Sequence, residues 1–297
     1  MIFDTILIDD ITVIIPTLNE EEAIGLVLED VMLHGYEKII VVDGDSSDGT
    51  VDIVNGYNVD LIKQKKGKGK TGAIVTAINH IRTPYFVLMD GDCTYSAKDI
   101  ENLIAEIGQN YEIIGVREKG RENISLLNRL GNWIINQLFN LIFATRLTDV
   151  CSGMYILKTD FARSLSLYSE GFDVEVELAA NAARTGRVSE AKINYYPRLG
   201  VQKLHPFRDG ARIIYRILLL GLRFYPARFC SLVSIFLAFP GLALMISSFS
   251  INFLAFQLQS SFLGLILVVC AMQGATLFLV DQRIQNIYRN RENSNNY

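Results

Sequence analysis

From Phe229 to Val280 the chain carries not one Asp, Glu, Lys or Arg, and no other stretch limits its fold so tightly. So long an uncharged run is costly in water. It divides into two segments, 229–251 and 261–280, each about 20 residues and able to cross a hydrocarbon layer of roughly 30 Å. Pro240 and Gly241 interrupt the first, which membrane helices tolerate where neighbours re-satisfy the backbone. Arg223 and Arg228 precede the pair, Arg283, Arg289 and Arg291 follow it, and 252–260 carries no charge. Basic flanks stay in the cytoplasm. The expectation is a multi-pass protein of the cell membrane, with both termini and the whole preceding region on the cytoplasmic side. The alternative is a buried helical hairpin of a soluble protein. The acidic start, MIFDTILIDD, lacks the basic and then apolar pattern of a signal peptide.

Three regions follow: a soluble domain over 1–206, a juxtamembrane helix over 207–228, and the apolar pair with a polar tail over 229–297. In the middle region Arg208, Arg212, Arg216, Arg223 and Arg228 interleave with Ile, Leu, Tyr and Phe. Such a helix lies well in a headgroup layer, or packs beneath the domain. The net charge of −4 argues against nucleic acid as a partner. Cys93, Cys151, Cys230 and Cys270 form no C-x-x-C pair, which speaks against zinc and against a disulfide framework. Reduced thiols suit a cytoplasmic domain.

Within 1–206, apolar runs at 12–15, 38–42, 59–62, 85–89, 112–116, 154–157 and 188–196 alternate with helical spacing at 20–33, 70–81, 97–107, 123–144 and 173–185. Apolar runs without alternation are strands covered on both faces. The order predicts an open α/β sheet, whose ligands sit beyond the carboxyl ends of its strands. Acidic and small residues gather at three such ends: Pro16 to Glu20, Asp43 to Asp48, and Asp90 to Asp92.

Asp90-Gly91-Asp92 is the sharpest local signal. Two carboxylates one residue apart repel each other unless a cation lies near them. Hard oxygen donors favour Mg²⁺ or Mn²⁺, held by one or two carboxylates and completed by substrate phosphates. The alternative is a solvated acidic turn. No G-x-G-x-x-G follows the first strand, so a dinucleotide oxidoreductase is not indicated.

Pro16-Thr17-Leu18-Asn19-Glu20, then Val41-Val42-Asp43 with Ser46, Asp48 and Thr50, then Gly67-Lys68-Gly69, then Asp90-Gly91-Asp92 stand in the order of one family. The chain resembles the inverting glycosyltransferase family 2, with its GT-A nucleotide-diphospho-sugar fold. Further along, Asp149-Val150-Cys151-Ser152-Gly153 is similar to the acceptor-side segment of polyprenyl-phosphate glycosyltransferases, including the dolichyl-phosphate mannose and glucose synthases. Gly131 to Asn136, Gly171 to Glu177, and Tyr196 to Gly210 resemble most the archaeal branch, which loads sugars onto dolichyl phosphate for N-glycosylation.

The resemblance implies roles. Pro16, Asn19, Glu20 and Asp43 would line the nucleoside pocket, and Lys68 would approach that pocket or the diphosphate. Asp90 and Asp92, with Gly91 between them, would hold the donor's metal. Many relatives carry Gln where this chain has Thr94, so no third side-chain ligand is expected there. Arg117, Arg129, Arg198 and Lys203 would meet the acceptor phosphate. Asp149, Ser152 and Glu177 would touch the sugar or support the arginines. The implied partners are a nucleotide sugar (UDP-GlcNAc or UDP-glucose before GDP-mannose), dolichyl or polyprenyl phosphate and membrane lipid, with a homo-oligomer left open. Two other readings stand beside this one. A hydroxyl acceptor would need a base, for which Asp149, Asp173 or Glu177 is available. A non-catalytic nucleotide-sugar-binding membrane protein would not need the two aspartates intact.

Overall fold

The computed structural model describes residues 6–65, 69–248, 261–277 and 279–280. They form two compact units, Met1–Ile217 and Leu218–Tyr297. In the first, seven strands make one sheet: β1 (Ile11–Thr17), β2 (Ile39–Asp43), β3 (Asp60–Lys63), β4 (Tyr85–Leu88), β5 (Glu112–Lys119), β6 (Tyr155–Lys158) and β7 (Val188–Asn194). Their spatial order is β3-β2-β1-β4-β6-β5-β7. β1 pairs in parallel with β2 and β4, and β5 in parallel with β7. β6 runs antiparallel to both its neighbours, a reversal that an apolar run does not encode.

Successive side chains of a strand point to opposite faces, and both faces of β1 are covered. Ile11, Val13 and Ile15 pack with α1 (Ile24–Leu33) and α4 (Ile100–Glu106). Ile14 packs on the other side with α3 (Gly69–Ile78) and α7 (Val174–Arg184). α1 buries Ile24, Val27, Leu28 and Val31, one stripe of a 3.6-residue period. The short α2 (Thr50–Val54), which follows β2, buries Thr50 and Val54. α3 and α7 differ. Small residues such as Gly72, Ala73, Ala179 and Ala180 let them sink between sheet and neighbours, so nearly every side is buried, including Lys70, Glu175 and Glu177. Polar groups carried on such helices need partners inside the protein.

Between β5 and β6 runs α5 (Leu126–Phe143), capped by Ser125, whose hydroxyl accepts from Asn128 N at 3.3 Å. A short helix, α6 (Thr159–Ser164), follows β6; no periodic pattern announces it. The last long helix of this region, α8 (Pro206–Phe224), is one element from the juxtamembrane signature onward, and the division between units falls within it.

The second unit contains α9 (Pro226–Ser248), with Pro240 inside it, and α10 (Ser261–Leu277). Among the described residues only Pro226–Leu244 is long and apolar enough to cross a membrane; α10 is shorter. The two pack through small residues: a Cβ on Gly241 would meet Gly264 O at 3.0 Å, and one on Gly274 would meet Cys230 O at 3.0 Å. Such contacts let backbones approach where apolar surroundings provide no hydrophobic drive. The expected connection at 252–260 and the basic tail with Arg283, Arg289 and Arg291 lie outside the described residues.

Candidate active site

The loops after β1 and β2 hold each other. Asn19 sits at φ 52°, a left-handed conformation that Asn tolerates. Its backbone N–H donates to Ser46 Oγ at 2.9 Å, and its Oδ1 accepts from Ser47 N at 2.7 Å. Asp43 accepts from the backbone of Asp45 and Ser46 at 3.0 and 3.1 Å. Asp48 accepts from Thr50 N at 3.0 Å and from Glu21 N at 3.2 Å, while Glu20 N donates to Thr50 Oγ1 at 2.8 Å. The spaced Asp, Ser, Asp and Thr of this motif therefore lace one loop to the next.

Between them β4 delivers Asp90-Gly91-Asp92. Gly91 faces β1 so closely that a Cβ would meet Ile15 Cγ2 at 3.1 Å. Lys70 Nζ donates to Asp90 Oδ1 at 2.6 Å and pairs with Glu175 Oε1 at 2.8 Å. Burial raises the Asp90 carboxyl above its ordinary pKa against the pull of Lys70, and the charge of Asp92 adds to the rise. Burial lowers Lys70, but Asp90 and Glu175 outweigh it and hold the ammonium well above its usual value. Asp92 receives the Thr94 hydroxyl and the Arg198 guanidinium. Thr94 is turned back on Asp92 and almost wholly buried.

Arg198 also donates to Glu20 Oε1 at 2.8 Å, and Lys203 pairs with the same carboxylate while donating to Asn19 O at 3.0 Å. Leu199 N donates to Asp92 O at 3.1 Å. The segment between β7 and α8 is thus strapped across the ends of β1 and β4. Burial nevertheless raises the Glu20 carboxyl despite both cations.

Beyond the strap opens a cavity of about 610 Å³. Asp90, Asp92, Gly153, Glu175, Arg117 and Arg198 make its polar lining; Leu127, Leu130 and Ile134 of α5 and Phe207, Ile213 and Ile214 of α8 make its apolar lining. Arg117 forks onto Asp149, Nε to Oδ2 at 2.7 Å and Nη2 to Oδ1 at 2.5 Å, with its guanidinium 5.4 Å from the centre of the Tyr195 ring. The Asp149 loop is fastened to α5 by Asn136, whose amide donates to Thr148 O at 2.6 Å and accepts from Val150 N at 2.9 Å.

Residues 12–165 match the Glycosyl transferase family 2 domain. The chain belongs to glycosyl transferase family 2. This glycosyltransferase is 33% identical to glycosyltransferase AglJ of Haloferax volcanii over 69% of its own length and 70% of the relative's. It is 31% identical to the dolichyl-phosphate hexose transferase of the same organism, over 69% of its length and 91% of the relative's. Its fold matches glucosyl-3-phosphoglycerate synthase of Mycobacterium tuberculosis, solved with Mn²⁺, UDP-glucose and phosphoglyceric acid, with a TM-score of 0.59 and 17% identity over 71% of this chain and 79% of that one. The sheet is the GT-A type expected for the family.

The glycosyltransferase offers a metal two carboxylates. Among its described residues no group of three or more His, Cys, Asp or Glu is arranged to hold an ion. Asp90 and Asp92 fit a hard divalent cation that draws its remaining ligands from phosphate oxygens; they do not make a self-sufficient cage.

The other expected site residues are distributed unevenly. Pro16, Asn19, Glu20 and Asp43 stand together on the β1 and β2 ends, with the Asp43 carboxylate engaged by its own loop. Lys68 lies outside the described residues. Arg117 and Arg198 reach the cavity, Lys203 faces Glu20, and Arg129 points to solvent from α5. Ser152 is fully buried, within 3.4 Å of Met154 N, so its hydroxyl serves its own turn rather than an acceptor. Glu177 is not in the cavity either: both its oxygens accept from the backbone of Tyr168 and Ser169, at 2.8 to 3.0 Å. Glu175, two positions before Glu177, lines the cavity, and Lys70 pairs with it. Glu175 and Glu177 lie two positions apart at the start of α7, and the helix register decides which of them faces the site. The backbone N–H of His205 donates to Asp209 Oδ2 at 2.8 Å, closing the first turn of α8.

Proposed function

We propose that this glycosyltransferase moves a hexose from a nucleoside-diphosphate sugar to dolichyl or another polyprenyl phosphate at the cytoplasmic membrane face, with inversion. The observation that carries the reading is the cavity, which is lined both by carboxylates and two arginines and by leucine, isoleucine and phenylalanine side chains. α5 adds exposed Leu126, Trp133 and Leu141 to its outer side. A phosphate on an isoprenoid chain matches both linings, and guanidinium groups suit the phosphate. The name of the dolichyl-phosphate relative points the same way.

A lipid phosphate is already anionic near neutral pH, its second pKa being about 6, and can attack the anomeric carbon without a base. The acids that might have served a hydroxyl acceptor are all engaged. Asp149 is forked by Arg117, Glu177 holds two backbone amides, and Asp173 holds Gly171 N at 3.0 Å and Arg216 Nε at 2.9 Å. What remains for the protein is alignment and charge. Arg117 and Arg198 would hold the acceptor, and Glu20 and Asn19 would orient the nucleoside. Mg²⁺ or Mn²⁺ at Asp90 and Asp92 would stabilise the charge developing on the departing diphosphate. α9 and α10 would anchor the chain as two spans, with the catalytic unit in the cytoplasm.

Membranes carrying the chain should transfer label from radioactive UDP-GlcNAc, UDP-glucose or GDP-mannose into dolichyl phosphate. The donor is expected to be one of the UDP sugars, and an α-linked donor should give a β-linked lipid. Asp92→Ala should transfer none. Equal label from both proteins, or an α-linked product, would overturn the reading.

A further inference from the structure

Where the Arg117 guanidinium points in the cavity is decided by Asp149. That carboxylate takes Nε and Nη2 and also accepts from the Arg117 backbone N–H at 3.2 Å. Nη1 stands outside the fork. Asp149 itself lies between α5 and β6, in a stretch with no helix or strand of its own, and it is fixed from two sides. On one side the Glu190 carboxylate of β7 accepts from Thr148 N at 2.6 Å, Asp149 N at 3.0 Å and Thr148 Oγ1 at 3.0 Å. On the other stands α5. Its Asn136 straddles Asp149, donating to Thr148 O and accepting from Val150 N. Asn140, one turn on, donates to Leu147 O at 2.7 Å and accepts from Leu147 N at 2.9 Å.

The two asparagines make α5 and this loop one body. Side chains two positions apart on a helix point to nearly opposite sides, and α5 uses both. Asn136 is 6% exposed and grips the loop, whereas Ile134 is 44% exposed and lines the cavity together with Leu127 and Leu130. One helix therefore offers the cavity an apolar side and, by its other side, holds the carboxylate that aims Arg117.

Resting on the acceptor reading above, we propose that Asn136 is a positioning residue that couples the two ends of the lipid acceptor. An isoprenoid chain seated on Leu127, Leu130 and Ile134 settles α5, and Asn136 carries that placement through Asp149 to Arg117 at the phosphate. An amide suits the task because it is donor and acceptor at once. Contacts remote from the reacting phosphate are then used to orient it, and binding energy used in this way appears in kcat. Glu190 has the complementary part: it ties the same loop to the sheet whether or not a chain is present.

The test compares two acceptors on the full-length chain in detergent, with radioactive UDP-GlcNAc, UDP-glucose and GDP-mannose supplied together as donors. Dolichyl phosphate reaches along α5; isopentenyl phosphate is too short for the roughly 10 Å from Leu127 to Ile134. At saturating acceptor, wild type should turn over dolichyl phosphate about 100-fold faster, the scale of a misplaced reacting group. Asn136→Ala should lower kcat on dolichyl phosphate about tenfold, with its KM and the kcat on isopentenyl phosphate each within about twofold. The preference for the long acceptor thus narrows. A merely structural role would lower both turnovers alike and leave the preference intact, and that result overturns the proposal, as does a change in KM alone.

Glu190→Ala serves as a second arm should Asn136→Ala not fold. It frees the loop from the sheet but leaves it on α5, so turnover of isopentenyl phosphate should fall more than that of dolichyl phosphate and the preference should widen. A preference that stays the same or narrows in this variant also ends the coupling. In either case label in dolichyl phosphate from wild type leaves the acceptor reading standing. A wild-type chain that labels neither lipid phosphate ends both.

Discussion

At the rim of the site, the carboxylates of Asp43 and Asp48 accept from backbone N–H groups of their own loops, and Glu20 and Asp92 face cations from the strap. Beneath, under α3 and α7, the charged groups face one another instead: Lys70 with Asp90 and Glu175, Arg117 with Asp149. The rim cations keep 26% of their side chains exposed, while the Glu20 and Asp92 carboxylates they face are buried. The Lys70–Glu175 and Arg117–Asp149 pairs are buried on both sides, and breaking such a pair typically costs about 3–5 kcal/mol. A binding site needs both kinds. The rim must be able to trade its partners for a ligand at little cost, and the floor must hold the reacting geometry while that happens.

The largest effect should come from breaking a floor pair. Asp149→Asn leaves the Arg117 guanidinium buried beside a neutral amide, and unfolding in denaturant should show a loss of about 3–5 kcal/mol. A loss below about 1 kcal/mol, the ceiling for an exposed pair, would place this pair among exposed ones. Next comes Gly153→Ala. Its methyl group would take the space that Asp90 Oδ2 occupies and displace that carboxylate, and misplacement of this order costs about 100-fold in turnover. At the rim, Arg198→Gln should be gentler to the fold than Asp149→Asn, because the guanidinium is partly exposed and Lys203 still faces Glu20. It should raise the KM for dolichyl phosphate about tenfold, the worth of one charge-assisted contact. Unchanged KM would leave Arg198 as a strap residue alone.

The same division explains what the sequence discloses. Rim residues come from short contiguous motifs at strand ends, so Pro16 to Glu20, Asp43 to Thr50 and Asp90 to Asp92 are readable in order, and a parallel sheet brings their ends together. Apart from Asp90, floor residues come from places far apart in the chain: Lys70 from α3, Arg117 from β5, Asp149 from the loop before β6 and Glu175 from α7. Lys70 and Glu175 meet only because α3 and α7 pack side by side on the Tyr155 face of the sheet, and no local pattern says so. The antiparallel β6 was equally hidden, since Tyr155–Lys158 is as apolar as a parallel strand. Arg129 and Ser152 have residue types that suit a phosphate; the helix phase of α5 leaves Arg129 exposed, and a local hydrogen bond to Met154 N occupies Ser152.

The floor also contains one acid with no cation, and it sharpens the contrast most finely. Glu112, at the start of β5, is 1% exposed, and its Oε2 has no hydrogen-bond partner. Burial pushes its carboxyl well above the ordinary range, and the charge of Glu175 adds to the rise. The folded protein therefore keeps this proton at pH values where the unfolded chain has released it. Stability from this group is fully present below the unfolded carboxylate pKa of about 4.5 and is lost as pH rises through the folded value. Glu112→Gln carries no proton to lose. It should melt near wild type at pH 4 and above it at pH 8, by on the order of 1 kcal/mol, the scale of one unsatisfied buried polar group. Melting curves for both proteins across that range decide the matter. If the gap does not open with rising pH, Glu112 is ionised in the fold as it is in the unfolded chain.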